Sequence, residues 1–471
     1  MHFHLLLSHA DDHRPVLPEG LGLSSVVRAP PPPALVKPEH LYEHHGDLND
    51  LSAQGWAVVT PQGERGAHLL KLVDPLIQLR AEQQGLKPEE VKVFEVKPGM
   101  TTNETERFRA RLLKLPSDEQ PRYLLILGDA HEVSFAFQQH LTVDRFVGRL
   151  AFAKDADFEA YVDKVLRAER EPARAKQARA LFFAVHDHTP ATSIGYELLI
   201  QPGLHQCQRA RQRGRFPASA VLGPGSPGEW QVSRFMTSVA ERVPGVLLTL
   251  SHGLGAPHGG WNSSAAQRQS QGAMDLGDGE VLRADKLTGS CFLPGGLWFS
   301  FSCFSAGTPA GSAYAPWLQR LQEAGEGPGL ESLRDSAPVD GRPFVAALPQ
   351  AALANPDGPL AFVGHVDLAW TYAFHEPGQN HAARFAAVLS DLVHHRRAGV
   401  GLSVLSKAVA TVDTNLSMLA QQDAVTQFEG GELPPEAMNR AHLWMTRHDL
   451  AGYVLLGDPA VRLPISAPPR Q

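Results

Sequence analysis

Two rhythms of apolar and polar positions alternate along most of this chain. Short apolar runs read as strands buried on both faces, and longer stretches with apolar positions three and four apart read as amphipathic helices. A strand at 56–60 (Trp-Ala-Val-Val-Thr) precedes a helical stretch over 66–85, a strand over 91–96, a helix over 102–115 and a strand over 123–128. A second series begins near Ala178, with strands expected at 180–185, 218–222, 245–250, 297–302, 360–363 and 453–456. Amphipathic helices are expected at 157–171 and 382–397. This alternation predicts an α/β fold with a mainly parallel sheet flanked by helices on both faces. It divides into two adjoining sub-domains, residues 51–175 and 176–465. Residues 1–50 break the rhythm with a proline run at 30–33 and several histidines, and are expected to form an extended Pro-rich N-terminal arm. Residues 466–471 form a tail, and 209–230, 259–285 and 324–342 are expected to be irregular.

Composition narrows the setting. A length of 471 residues exceeds what one small core needs. The net charge of −7 argues against a partner bound through a globally basic surface, so no nucleic acid is expected. Only three cysteines are present, too few for a disulfide framework, which favours a reducing compartment. The opening residues lack the basic and long apolar parts of a secretory leader, and no apolar run reaches membrane-spanning length. A cytoplasmic protein with no membrane partner is the expectation.

The chemistry concentrates at two strand ends. His252 follows the run 245–250 in Leu-Ser-His-Gly-Leu-Gly, and Cys303 follows 297–302 in Phe-Ser-Phe-Ser-Cys-Phe-Ser-Ala-Gly. Side chains at the carboxyl ends of neighbouring parallel strands converge on one crevice. A thiol is mostly protonated at neutral pH, and an imidazole beside it makes it a nucleophile. The pair therefore points to a cysteine nucleophile with a histidine base. Cys291 is also Gly-flanked but precedes its strand, and Cys207 lies in a polar segment. His258 and His365 are rival histidines for which a structural role is the better reading. His186 and His188 could share a face for zinc, but nothing in the sequence completes such a site, so neither metal nor cofactor is expected.

Several segments in order resemble the gingipain-type branch of the caspase-like cysteine peptidases (clan CD), across roughly residues 55–465. They are Tyr123-Leu-Leu-Ile-Leu-Gly-Asp129, Phe146-Val-Gly-Arg-Leu150, the His252-Gly253 turn, the strand ending at Cys303, Phe362-Val-Gly-His-Val-Asp-Leu-Ala-Trp370 and Leu456-Gly-Asp-Pro459. His252 and Cys303 lie 51 positions apart, near the caspase separation, although the caspase Gln-Ala-Cys signature is missing. The resemblance implies an endopeptidase in which Cys303 attacks the scissile carbonyl and His252 protonates the leaving amine. It implies that the amides of Gly253 and Cys303 form the oxyanion hole and that Asp187 pairs with the histidine. It also implies cleavage after arginine or lysine, with Trp370 beside the specificity pocket and Glu197 or Asp367 as the acid within it.

The expected partners are protein or peptide substrates. Arg209, Arg211, Arg213 and Arg215 crowd a polar segment that an upstream protease could cut, which would make the chain a zymogen whose arm covers the cleft. A solvated helix end explains the same arginines. Bacterial relatives of this type serve in signalling or defence cascades, and the resemblance implies such a role. An inactive caspase-like scaffold that binds a protein partner is the alternative. The glycine-rich pieces match neither nucleotide-binding pattern.

Overall fold

A computed structural model describes residues 2–22, 24–25, 46–224, 232–326, 330–376, 379–428 and 437–466. The proline run at 30–33 lies outside them, as does nearly all of the tail. The architecture is one ten-stranded sheet with helices on both faces. Its strands are β1 (Trp56–Pro61), β2 (Val93–Val96), β3 (Tyr123–Leu127), β4 (Phe146–Leu150), β5 (Ala178–Ala184), β6 (Ala218–Leu222), β7 (Gly245–Leu250), β8 (Leu297–Phe301), β9 (Ala361–His365) and β10 (Tyr453–Leu456). In space they run β2-β1-β3-β4-β10-β9-β8-β7-β5-β6.

Every neighbouring pair is parallel except β9 and β10, which are antiparallel. The sheet therefore holds two parallel blocks of opposite polarity, joined at a seam. Strands from 51–175 and from 176–465 share this sheet, and β10 crosses over to pair with β4. Both faces of β8 are covered, which explains why all but Ser300 of its residues are apolar. Phe299 and Phe301 pack against Phe385 of the helix Ala382–Val393 and against Tyr453. Trp298 points the other way, onto Phe292 and Phe362.

Buried charge ties the end of β10 to the first block. Asp458, fully buried, accepts from Arg80, from the Trp56 indole at 3.0 Å and from the Ala460 amide. Arg80 also meets Glu169 at 2.9 Å. Burial works against the Arg80 charge, but attraction to these two carboxylates outweighs it and raises the pKa, so the guanidinium stays charged.

Several sequence expectations are corrected. The helical stretch over 66–85 is two helices, Glu64–Leu72 and Asp74–Gln84, because Val73 caps both and Pro75 starts the second. The stretch 209–230 is not irregular throughout: it includes the end of the helix Gln201–Gln212 and all of β6. Residues 259–285 hold the helix Ser264–Ser270 and a hairpin of Met274–Gly277 with Glu280–Leu282. Among the helices the pattern did not predict, the two longest are Ala398–Phe428 and Ala437–Ala451. They pack against one another, and the longer one also lies on β4 and β10. No described helix is long and apolar enough to cross a membrane.

Candidate active site

The carboxyl ends of β5, β7 and β8 lie side by side at one edge of the second block. Beyond β7 the chain continues as Ser251, His252 and Gly253; beyond β8 it continues as Ser302 and Cys303. The two turns touch through backbone. A Cβ added at Gly253 would stand 2.0 Å from the Cys303 carbonyl oxygen, so only glycine fits. Phe304, next to the thiol, has φ of +56°, and His188, next to Asp187, has φ of +62°. Side-chain-bearing residues in that region store strain of about 1–3 kcal/mol each, which the surrounding packing must hold.

His252 and Cys303 are both fully buried. The His252 Nε2 lies 3.0 Å from the Thr189 hydroxyl and 3.5 Å from Asp187 Oδ2. Thr189 in turn donates to Asp187 Oδ1 at 2.9 Å, and Thr192 donates to the same oxygen. With the threonine proton spent on Asp187, the histidine donates from Nε2, and Nδ1 keeps its lone pair. That Nδ1 is buried and has no hydrogen-bond partner among the described residues. A buried polar atom left so is costly in a structural residue and fits one that handles protons. Burial holds the imidazole below its usual pKa, while Asp187 and then Asp275 oppose the shift.

The Cys303 thiol lies 3.6 Å from the Ala369 carbonyl, to which it can donate, and accepts from the Ala369 amide at 3.2 Å. Burial pushes this thiol well up, against the pull of the Ala369 amide. The amides of Gly253 and Cys303 converge on a single oxygen, the carbonyl of Leu6, at 2.8 and 3.1 Å. Distances of about 2.7–3.1 Å from two backbone donors are those of an oxyanion hole.

The remaining sequence-expected residues fall as follows. Trp370 is fully buried, its ring 5.3 Å from Phe3, 5.5 Å from Trp317 and 6.0 Å from Tyr314. Asp367 is buried, and its two oxygens accept from the Leu368 and Ala313 amides. Burial raises Asp367 to about 6 despite those amides. Glu197 is exposed on a π-helical turn, Tyr196–Ile200. His365 is a buried strut between backbone groups of Asp367 and Asp449. His258 stacks on His9 with centroids 3.7 Å apart. Cys207 is buried, with its thiol pushed up to about 12, and Cys291 is half-buried and donates to the Ala240 carbonyl. All four arginines at 209–215 are exposed at a helix end, where Arg211 donates to the Ala218 and Ser219 carbonyls.

Sequence reasoning missed Thr189, Thr192 and Asp449. The buried Asp449 carboxylate accepts from the Trp370 and Ala373 amides at 2.8 and 2.7 Å and so shapes the loop after β9. The threonines follow Asp187 closely enough to have been found as hydroxyls around a buried acid. Asp449 sits in a helix and gave no signal.

No family model and no curated protein matches the sequence. Solved structures do. One, named only as a protease, is 13% identical with a TM-score of 0.50 and covers 89% of this chain and 80% of its own. The Arg-specific cysteine proteinase gingipain R (RgpB) is 12% identical over 90% of this chain and 80% of its own, with a TM-score of 0.46. A complex of the pro- and mature domains of RgpB from Porphyromonas gingivalis is 13% identical over 87% and 80%, also at 0.46. What this likeness shows is the fold alone: a mainly parallel, helix-flanked sheet shared with that protease.

Proposed function

We propose that this chain is a cysteine endopeptidase with Cys303 as nucleophile and His252 as its proton partner. The observation that carries this reading is the convergence of the Gly253 and Cys303 amides on one oxygen, at strand ends that also present a thiol and an imidazole with a free Nδ1. The thiolate adds to the scissile carbonyl carbon while the two amides take the charge that develops on oxygen. The carbon–nitrogen bond then breaks, and the imidazolium gives its proton to the leaving amine. Water, deprotonated by the imidazole, hydrolyses the thioester and returns the free thiol. Asp187, through Thr189 and directly, holds the ring with Nε2 protonated and favours the imidazolium. An activating protease that cuts after arginine would find Arg209, Arg213 and Arg215 exposed, which supports a precursor form.

The cleavage after arginine or lysine implied by the resemblance needs a carboxylate free to meet a cation. Both oxygens of Asp367 are engaged and Glu197 is exposed, so neither offers a buried, unengaged acid for that part. Fluorogenic peptides varied at the residue before the cut, assayed on the wild type and on Cys303→Ala, test the reading. Turnover lost in Cys303→Ala and kept in Cys207→Ser and Cys291→Ser is expected; turnover retained in Cys303→Ala would overturn it.

A further inference from the structure

The oxygen in the candidate oxyanion hole belongs to this chain's own Leu6, and the residues around it lie as a substrate would. On one side the segment runs antiparallel to the loop after β9. The Leu6 amide donates to the Ala369 carbonyl at 3.2 Å, Leu5 bridges Trp370, and the Thr371 amide donates to the His4 carbonyl at 3.2 Å. On the other side Leu7 and Ser8 pair in parallel with Gly253 and Leu254, and the Gly255 amide donates to the Ser8 carbonyl at 2.7 Å. The Cys303 thiol and the Leu6 amide face the same Ala369 carbonyl, which sets the sulfur beside the Leu6 backbone.

We propose that residues 3–8 occupy the cleft as an internal stand-in for substrate, with Leu6 in the position before the cut. The site thus selects an apolar, leucine-like residue there and stays closed until the segment is displaced. This rests on the His252–Cys303 reading above. Leu5, Leu6 and Leu7 are each fully buried, so the pocket that takes the Leu6 side chain excludes water as it stands. An arginine in the same register would bury a cation, which is costly without a partner. The carboxylates on this edge are already engaged, Asp187 by two threonines and Asp367 by two amides. The next side chain is specified too: Leu7 packs so closely over Gly255 that an added Cβ would lie 2.9 Å from its Cδ1.

The segment is also placed to leave. Leu7–Ser8 is the edge strand of a small four-stranded sheet, after Glu280–Leu282, Met274–Gly277 and Gly253–Leu254. Its loss leaves the other three strands paired. Addition of an extended peptide to such an edge is a standard mode of peptide capture, and a substrate in trans would use the same donors and acceptors.

The test uses the full chain. Labelling of Cys303 by peptidyl chloromethyl ketones ending in leucine or in arginine is followed in the wild type, in Leu6→Asp and in the milder Leu6→Gly. Binding of a fluorescent Phe-His-Leu-Leu-Leu-Ser peptide is followed by anisotropy in Cys303→Ala with and without Leu6→Asp. A site open about 1% of the time that becomes open throughout gains about 100-fold in labelling rate. We expect that gain for Leu6→Asp, a smaller one for Leu6→Gly, the leucyl probe faster than the arginyl, and peptide binding only where Leu6 is replaced. Labelling and binding indifferent to Leu6 would overturn the occupancy, and an arginyl probe that outruns the leucyl one would overturn the apolar preference. Peptide binding without labelling by any probe would leave the occupancy standing and sink the dyad itself.

Discussion

Gly253→Ala tests the oxyanion hole with a single methyl group. The added carbon would stand 2.0 Å from the Cys303 carbonyl oxygen, 2.9 Å from its carbon and 3.1 Å from its nitrogen, all backbone atoms that cannot rotate away. Relief to an ordinary contact takes roughly 1.4 Å of movement between the two turns, enough to stretch a 2.8 Å hydrogen bond from the Gly253 amide beyond useful range. One of two donors is then lost, and the expected fall in kcat is about 10²–10³, or about 3–4 kcal/mol of transition-state stabilisation. KM should change much less, because the donor acts mainly on the developing charge. The assay is turnover of a leucyl fluorogenic peptide by the Leu6→Asp chain with and without Gly253→Ala, alongside thermal melting of both. A kcat within about threefold of the parent, with the melt unchanged, would refute the assignment of this amide.

The other predictions address charge and seating. Asp187→Asn removes the carboxylate that opposes the burial-driven lowering of His252, so the imidazolium becomes less stable; kcat should fall about 10², and the alkaline limb of the pH–rate profile should move to lower pH. A limb that stays in place would separate Asp187 from the histidine. His4 in the seated segment is held down to about 4 from the ordinary 6.5, first by burial and then by His2, His375 and His252. The seated state binds fewer protons, so it is fully favoured above 6.5 and loses ground as pH falls from there towards 4. Cys303 labelling of the wild type, taken relative to Leu6→Asp at each pH, should therefore rise through that window, and a flat ratio would count against it. Asp458→Ala strands the Trp56 indole and one side of Arg80, and should cost about 3–5 kcal/mol in denaturant unfolding. A loss under about 1 kcal/mol would mean that water or Glu169 takes over.

The parts of this molecule that were legible in the sequence share a cause. β7 and β8 are apolar because each is covered on both faces, and the change to Ser, His and Gly, or to Ser and Cys, marks where the chain leaves the sheet. His252 and Cys303 could be singled out on that basis. What stayed hidden depends on partners far along the chain. The antiparallel seam leaves no mark in β9 or β10, since a strand buried on both faces looks alike in either direction. Leu5-Leu6-Leu7 is a run too short to distinguish from an arm that touches nothing, and its acceptor Ala369 and donor Gly253 lie hundreds of residues away. The helix Ala398–Phe428 opens on Gly399 and Gly401, which weaken a helical pattern read locally. Those glycines are there for packing: a Cβ at 399 would come within 2.6 Å of Phe146, and one at 401 within 2.7 Å of Leu392.

The late pairing of β10 with β4 also bears on how the chain is made. β4 emerges from the ribosome long before its neighbour β10, with roughly 300 residues between them, or about 15–60 s of synthesis at 5–20 residues per second. During that interval the first block shows a bare, apolar edge that invites the wrong neighbour. Arg80 and Trp56 wait just as long for Asp458, so an early-folded half carries a buried cation balanced only by Glu169. Nascent chains halted before residue 453 should therefore recruit holdase chaperones, and the full-length chain should shed them once its last strand closes the gap.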